Sequence, residues 1–516
     1  MDPKKRYILN SVLLSAVSVV IRAVSVSFNA YVTRKIGTEA VGLFTLVMSV
    51  YTLAVTLAVS GINLASVRIC AGTKALCEKR RLGSEATRML LRRDMAGCCL
   101  YSLFFGLLSC LLLYALAEPL GVHLLCDRRT VSSLRVLSLA LPPISLSSAL
   151  AGYFAGLRKI YKNAAVTLTE QFIKITLTSA ALVIIAPRGV EYACLAVVGG
   201  SAAAEGFSLV TAFLLYVTDR VKAQPSKAAA KTTSLSSSIS SAAKIALPVA
   251  VGSYVRQGLT CAEHVAIPRG LRRYGAGAGD ALSSYGILQG MTLPLILFPS
   301  SVTGAFSSLL IPELSEYTAL KNRKAICETA ERAISFCMTF SFGAAAVFLT
   351  FGNSLGISVY GSPQAGKYIV LLSALVPIMY LDTTVDCILK GMGYQLYCMK
   401  VNILDATLCL VAVLLLVPRI GVMGYVICIY ASECVNAALS IGKTVSVTGM
   451  RFRLSWVLKP MAVSGMISLF LKLLSAHIYI GGAATEILIF VLLYTVAMVP
   501  KKRKKGKKLT PECIGS

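Results

Sequence analysis

The chain has 516 residues, of which 56% are hydrophobic and only 14% are charged, and its formal net charge is +28. A soluble globular protein carries about 25% charged residues, so the composition excludes an ordinary soluble enzyme. Apolar stretches of the ~20 residues needed to cross a bilayer recur along almost the whole length. The sequence therefore predicts an all-α integral membrane protein.

Hydropathy predicts about fourteen transmembrane helices along the chain. The first follows the charges of MDPKKR as a signal peptide would, but it is long and lacks a small-residue cleavage pattern, so we expect it to be retained. The predicted helices are centred near residues 21, 54, 106, 144, 175, 205, 252, 297, 342, 379, 407, 431, 466 and 489.

The basic residues indicate the orientation of these helices. With the N-terminus in the cytoplasm, most of the 51 Lys and Arg fall on the cytoplasmic side, as in RRLGSEATRMLLRR and the tail KKRKKGKK. The positive-inside rule then predicts a multi-pass protein of the cell membrane with both termini in the cytoplasm. We expect attraction to anionic membrane lipid and no nucleic-acid partner, because the basic segments flank helices and lack interleaved aromatics.

Two segments repeat at an offset of 234 residues. SVLLSAVSVVIR (11–22) aligns with IALPVAVGSYVR (245–256), and LSLALPPI (137–144) aligns with LLSALVPI (371–378), where five of eight positions are identical. A shared offset favours duplication over chance similarity between apolar helices. Each half holds an even number of spans, so we expect two six-helix lobes related by a pseudo-two-fold axis along the membrane normal.

This repeat predicts five segments. They are an N-terminal lobe (1–222), a cytoplasmic linker rich in Ser, Ala and Lys (223–244), a C-terminal lobe (245–445), helices 13 and 14 (446–500) and a basic cytoplasmic tail (501–516).

The repeat pairs Arg22 with Arg256 on the first helix of each lobe. An arginine at bilayer depth costs about 2.5 to 3.5 kcal/mol on insertion scales, so it should face water or a partner. Guanidinium groups donate two parallel hydrogen bonds to phosphate oxygens. Two arginines facing one cavity would favour a pyrophosphate-bearing substrate. The alternative is that each pairs with a nearby acid, for example Arg256 with Glu263, and only holds helices together.

Other features of the spans leave their roles open. Several acidic side chains lie within or near predicted spans and could bind a coupling cation, relay protons or pair between helices. Glycines and prolines interrupt predicted helix 8, where they could form either a moving hinge or a static kink. The acids are Glu170, Glu205, Glu263, Asp382, Asp386, Asp405 and Glu433, with Lys390 beside them, and the helix 8 residues are Gly286, Gly290, Pro294, Pro299 and Gly304.

Two stretches carry a family resemblance. Residues 267–316, IPRGLRRYGAGAGDALSSYGILQGMTLPLILFPSSVTGAFSSLLIPELSE, and the opening RAVSVSFNAYVTRKIGTEAVGLFTLVMSVYTLAVTLAVSGINLASVR resemble the stage V sporulation protein B branch of the multidrug/oligosaccharidyl-lipid/polysaccharide exporter superfamily. This superfamily includes the MurJ-like lipid II flippases, and the likeness extends over nearly the whole chain.

The resemblance implies a two-lobed transporter with a central cavity, and a groove for a lipid tail at helices 13 and 14. Carried over by position, it implies that Arg22 and Arg256 contact the substrate's pyrophosphate, with Arg68 and Arg269 as further candidates. Glu263, a polar residue of the same span as Arg256, is a further candidate for substrate binding. Many relatives carry another basic residue after the first arginine, where this chain has Phe28-Asn29. The phosphate site is therefore expected to be less basic than in lipid II flippases.

These observations predict a flippase, not an enzyme. Its substrate would be an undecaprenyl-pyrophosphate-linked saccharide, such as a lipid II-type peptidoglycan precursor for the spore cortex, moved from the inner to the outer leaflet by alternating access. A coupling cation or proton is expected, and no cofactor, metal or catalytic residue is. The alternatives are a cation-coupled multidrug exporter, which usually has only twelve spans, and a non-transporting scaffold for cell-wall synthesis.

Overall fold

A computed structural model describes residues 3–79, 83–185, 187, 189–220, 235–477 and 482–498. Over these ranges the chain is helical and contains no β-strand, as the composition predicts. The helices are α1 (Pro3–Val59), α2 (Ile62–Lys79), α3 (Ser84–Pro119), α4 (Thr130–Ser138), α5 (Leu141–Gly156), α6 (Ile160–Ile185), α7 (Val190–Arg220), α8 (Leu235–Tyr274), α9 (Ala278–Tyr285), α10 (Leu293–Leu297), α11 (Ser300–Ala319), α12 (Arg323–Tyr360), α13 (Pro363–Leu372), α14 (Val376–Gly391), α15 (Gln395–Ile420), α16 (Val422–Thr448), α17 (Ser455–His477) and α18 (Ala483–Met498).

The helices identify a multi-pass membrane protein. By length and composition, ten helical segments in the described ranges can cross a bilayer, or up to twelve if each of two bent helix pairs is one span. The predicted number of fourteen is therefore not confirmed. Part of the difference arises because the first of the ten, Val19–Cys77, covers two predicted helices, and α18, with only 16 residues, is shorter than a full span.

Two breaks interrupt the long N-terminal helical region. Gly37 has a φ of 79° and a ψ of 170° inside α1, which separates that helix into two stretches. Ser60 and Gly61, both with positive φ, separate α1 from α2. An unbroken helix of 59 residues would be about 89 Å long, against a bilayer core of about 30 Å, so such breaks let the chain fold back and bend.

The described residues form two compact units. The first unit takes its residues from Ser27–Gly286 and Leu410–Val422, and the second from Met1–Val26, Ile287–Cys409 and Met423–Ser516. These units divide the chain differently from the lobes that the repeat predicts, and the lobes stay a prediction. Residues 223–234 of the predicted linker (223–244) lie outside the described residues, while residues 235–244 form the first turns of α8.

The core of the first unit packs small residues against aromatic ones. Ala242 and Ala246 of α8 are fully buried in a cluster that includes residues of α2, α3, α5 and α7. At Gly97 of α3, an added Cβ would lie 2.7 Å from Cβ of Ser238 in α8. Small residues at such contacts let membrane helices approach closely, where packing rather than hydrophobicity holds them together.

The second unit packs α17 and α18 against α12. Phe351 of α12, Leu471 of α17, and Phe490 and Tyr494 of α18 share one buried cluster. The Tyr494 hydroxyl donates a hydrogen bond of 2.7 Å to the carbonyl oxygen of Thr339 in α12. The two C-terminal helices are thus fixed to the rest of their unit, whereas the predicted lipid-tail groove at 446–500 stays a prediction.

Predicted helix 8 is discontinuous, as its glycines and prolines indicate. It consists of α9, a π-helical stretch (Gly286–Thr292), α10 and α11, with the break between α10 and α11 at Phe298 and Pro299. Proline lacks an amide donor and so cannot complete the helical hydrogen bonding there.

Candidate functional site

Arg256 lies near the middle of α8, about 27 Å from the end of that helix at Tyr274. Its side chain is exposed, and among the described residues it forms no hydrogen bond or ion pair, so the alternative pairing with Glu263 is not observed. A charged group at the middle of a spanning helix must find water or a ligand. The donors of the Arg256 guanidinium are therefore available to water or to a ligand.

A buried hydroxyl cluster fixes α8 at the level of Arg256. The hydroxyl groups of Ser60 and Tyr254 are 2.5 Å apart, and those of Ser60 and Tyr101 are 3.1 Å apart. At Gly61, an added Cβ would lie 2.7 Å from the carbonyl oxygen of Ala246, so the chain approaches α8 closely there. The break between α1 and α2 thus supplies the group that positions the helix carrying Arg256.

The other predicted site residues lie at different places. Arg68 is exposed on α2, and Glu263 is half-buried about 10 Å beyond Arg256 on α8. Arg269 lies about 20 Å beyond Arg256 along the same helix, so the two do not share one phosphate site. Arg22 is exposed on α1 and belongs to the second unit, whereas the other four belong to the first. The convergence of Arg22 and Arg256 on one cavity stays a prediction.

Close contacts join α1 and α9 at one end of the first unit, which we call the outer end because the charge pattern predicts it to be extracytoplasmic. An added Cβ at Gly42 would lie 2.0 Å from the carbonyl oxygen of Leu282, and one at Gly286 would lie 2.6 Å from the amide nitrogen of Gly42. The Ser283 hydroxyl donates a hydrogen bond of 2.7 Å to the Thr38 hydroxyl. The two backbones approach this closely because Gly42 and Gly286, which have no side chains, lie opposite each other.

An ion-pair network stiffens the outer end. The Arg129 guanidinium donates hydrogen bonds of 2.8 to 3.2 Å to Asp127 and one of 2.9 Å to Glu39. The bond with Asp127, and to a lesser extent that with Glu39, raises the pKa of Arg129 above its ordinary value, so the guanidinium stays charged. The network links the start of α4 to α1.

Two arginines of α8 reach the turn that follows α3. Arg269 Nη2 donates to the carbonyl oxygen of His123, and Arg272 Nη1 donates to that of Cys126 at 3.3 Å. Such bonds satisfy carbonyl groups where the π-helical stretch Leu120–Leu124 ends. Part of the hydrogen-bonding capacity of Arg269 is therefore used structurally.

The opposite end of the first unit is held by a carboxylate. Asp94 of α3 accepts hydrogen bonds from Thr73 of α2 at 2.6 Å and from Ser238 of α8 at 3.1 Å. The outer end of this unit thus contains a contact between the predicted N-terminal and C-terminal lobes, and the opposite end contains one between the predicted N-terminal lobe and Ser238 of the predicted linker. Such contacts must break and form if the protein alternates between two open states.

Four of the acids that lie within or near predicted spans belong to the second unit, on α14, α15 and α16: Asp382, Asp386, Asp405 and Glu433. Asp382 of α14 keeps a buried Oδ1 that has no hydrogen-bond partner among the described residues. Asp405 of α15 accepts a hydrogen bond from Ser432 of α16, and Asp386 forms an ion pair of 2.8 Å with Lys390. In the described part of the chain, no group of three His, Cys, Asp or Glu side chains could hold a metal ion.

Arg256 is recognisable in the sequence as a candidate site residue, but the residues that support it are not. The Ser60–Tyr254 contact joins residues 194 positions apart, so no local pattern reveals it. The Arg129 network and the Gly42–Gly286 contact also depend on the tertiary arrangement. The signals available were the Ser60-Gly61 pair inside an apolar run and the acidic residues that precede Arg129.

Three comparisons relate the chain to known proteins. It is 24% identical over 423 residues to stage V sporulation protein B of Bacillus subtilis (strain 168). The aligned region covers 82% of this chain and 80% of that protein. Its fold matches the lipid II flippase MurJ in an inward closed conformation with a TM-score of 0.68 and 13% identity, over 94% of this chain and 98% of that one.

The fold of the chain also matches an inward-facing multidrug resistance MATE family transporter of the MOP superfamily. The TM-score is 0.62 and the identity 13%, over 84% of this chain and 98% of that one. These likenesses establish the fold of a membrane transporter. The model of a family described as polysaccharide biosynthesis protein matches residues 8–318. Because this match covers more than half of its residues, the chain belongs to the polysaccharide biosynthesis protein family.

Proposed function

We propose that the protein is a flippase for an undecaprenyl-pyrophosphate-linked saccharide. The observation that carries the proposal is Arg256, which is exposed in the middle of a helix that can span the membrane and is unpaired among the described residues. An uncompensated guanidinium at that depth is costly unless it serves a polar ligand. A pyrophosphate is the part of the substrate that its two parallel donors fit.

The second arginine completes the proposed site. Arg22 is likewise exposed and lacks an ion pair among the described residues. It occupies the equivalent position in the sequence repeat, so we propose that both arginines face one aqueous cavity. The headgroup passes through this cavity while the polyprenyl chain stays in the bilayer, along α17 and α18.

The extent of the fold likeness favours a flippase over a multidrug exporter. The likeness to the lipid II flippase covers 94% of this chain, and that to the MATE transporter covers 84%, although almost all of each solved chain is matched. The similarity to a stage V sporulation protein supports a role in sporulation, and the likeness to a lipid II flippase supports a peptidoglycan precursor, such as one for the spore cortex, as the substrate. Coupling to a cation or proton and cytoplasmic termini are part of the same proposal.

A vesicle assay tests the function. Purified protein is placed in vesicles that contain lipid II, and the lipid exposed on the other leaflet is measured with a reagent that cannot cross the membrane. We expect exposure above that of empty vesicles, and its loss in Arg22→Ala and Arg256→Ala variants that still insert. If both variants flip at the wild-type rate, the arginine site is wrong, and if no polyprenyl-linked saccharide is exposed, the flippase proposal fails.

A further inference from the structure

A cavity of about 280 Å³ lies at the outer end of the first unit, between α8 and α15. Its polar lining consists of two arginines of α8, and the rest of its lining is apolar or glycine. The lining includes Ala262, Arg269, Gly270 and Arg273 of α8 and Leu414 of α15. None of the described residues that line the cavity carries a carboxylate, so the charge of this lining is positive.

The two arginines retain donors for a ligand. Arg273 is exposed and makes no hydrogen bond or ion pair with the described residues. Arg269 contacts the carbonyl oxygen of His123 through Nη2, but its buried Nε has no acceptor. Arg272 also keeps a buried Nε without an acceptor, yet it does not line the cavity. Two guanidinium groups in adjacent turns suit a phosphate better than a neutral headgroup.

The charged part and the apolar part of the cavity lining follow one another along α8. Ala262 and Arg273 are eleven residues apart, or about 16 Å along α8, which is about half the thickness of a bilayer core. The arginines lie in the last turns of α8, and the apolar residues lie toward the middle of the span. This order matches a lipid in one leaflet, with its phosphate at the membrane border and its chain directed inward.

The wall of the cavity also allows a chain to enter from the bilayer. Leu414 is 53% exposed and Ala262 is exposed, so the apolar side reaches the surface of the helices. Close packing at Gly270, where an added Cβ would lie 2.9 Å from the Val417 side chain, brings α8 and α15 together beside the cavity. We propose that this cavity binds the phosphate headgroup and first chain segment of an anionic lipid in the outer leaflet.

This site is distinct from the proposed translocation site, since Arg269 lies about 20 Å along α8 from Arg256. Two sources could supply the same chemistry: the polyprenyl phosphate group of the carrier lipid, or an anionic phospholipid of the bilayer. Competition between the two in one binding experiment identifies which lipid occupies the cavity.

Native mass spectrometry of the full-length protein in detergent tests the proposal, with farnesyl phosphate as the probe. We expect the double variant Arg269→Gln and Arg273→Gln to bind it at least about tenfold more weakly, because each lost charge-assisted hydrogen bond contributes more than a neutral one. Arg272→Gln is the matched control and should bind like the wild type. Ala262→Phe, which fills the apolar side without changing charge, should also weaken binding.

Competing ligands decide the remaining questions. Displacement by phosphatidylglycerol at similar concentrations assigns the cavity to bilayer phospholipid, and its failure assigns it to the polyprenyl carrier; both support the site. Wild-type binding by the Arg269 and Arg273 double variant overturns the proposal. So does competition by inorganic phosphate or farnesol as effective as that of unlabelled farnesyl phosphate, because the site would then not need both parts of the lipid.

Discussion

At the scale of single residues, the geometry of the guanidinium group explains why position 256 holds arginine. Lysine would carry the same charge, but it is a point charge and cannot donate two parallel hydrogen bonds to one phosphate. Tyr254, two residues earlier, fixes this part of α8 through Ser60, so Arg256 extends from a rigid segment. Binding geometry held in this way is sensitive to the shape of the donor group.

We therefore expect Arg256→Lys to lower the rate of lipid II exposure in vesicles about tenfold, corresponding to the loss of one charge-assisted hydrogen bond. Lys244, an exposed cation in the early turns of α8, supplies the control, and Lys244→Gln should flip at the wild-type rate. Equal rates for Arg256→Lys and the wild type would mean that charge alone matters at this position.

Asp382 is the acid whose surroundings best fit a coupling role, because its buried Oδ1 lacks a hydrogen-bond partner among the described residues. A buried oxygen in this condition costs free energy unless a proton or a cation satisfies it. We expect Asp382→Asn to insert and fold but to lose any dependence of flipping on a proton or sodium gradient, measured by imposing each gradient across the vesicles.

Asp386 provides the comparison for this prediction. It lies one turn further along α14 but is paired with Lys390 at 2.8 Å, so its charge is already balanced. Asp386→Asn should keep the gradient dependence of the wild type. Loss of coupling in Asp386→Asn together with its retention in Asp382→Asn would reverse the assignment of the coupling acid.

At the scale of helices, hydropathy predicted where each helix lies better than it predicted where helices are broken. Helices occupy the neighbourhood of every predicted centre, because long apolar runs are typical of spanning segments. The prolines of predicted helix 8 correctly indicated a discontinuous element. The break at Ser60 was not predicted, since serine is common in membrane helices and its positive φ depends on contacts made by the folded chain.

The same limit applies to the candidate site. The charge of Arg256 inside an apolar run is visible in the sequence, whereas its support by Ser60 and Tyr101 requires residues far apart in the chain. Contacts between glycines such as Gly42 and Gly286 are also invisible locally, because glycine occurs in membrane helices for several reasons. Sequence patterns thus locate the charged groups, and tertiary packing determines how they are held.

The glycine contact between α1 and α9 gives a prediction about closure of the outer end. A Cβ at Gly42 would lie 2.0 Å from a backbone carbonyl oxygen, which cannot move without shifting α9. We expect Gly42→Ala to weaken closure and to increase labelling of Thr38→Cys by a membrane-impermeant maleimide several-fold. The exposed Cys126 and Cys434 are replaced by serine in this background.

Gly258→Ala serves as the matched substitution, because nothing lies within 4 Å of an added Cβ at that position of α8. Its labelling should equal that of the parent. If Gly42→Ala and Gly258→Ala are labelled alike, the α1–α9 contact does not control access to the outer end.

At the scale of the whole molecule, the contacts at the two ends of the first unit define what alternating access requires. Thr38 belongs to the predicted N-terminal lobe and Ser283 to the predicted C-terminal lobe, and their hydroxyl oxygens are 2.7 Å apart. At the opposite end, Asp94 of the predicted N-terminal lobe accepts a hydrogen bond from Ser238, which lies in the part of the predicted linker that begins α8. A flippase that opens first to one side and then to the other must break the outer contact in every cycle.

A disulfide at the outer contact should therefore stop transport. We expect oxidised Thr38→Cys with Ser283→Cys to lose lipid II flipping in vesicles, and reductant to restore the rate of the same variant. Ser133→Cys provides the control, because Ser133 Oγ is 3.6 Å from Sγ of the native Cys194 and both residues lie in the predicted N-terminal lobe. A bridge within one lobe should leave flipping unchanged. Undiminished flipping by the oxidised Thr38–Ser283 variant would show that substrate moves without separation of these helices, which would contradict alternating access through the outer end.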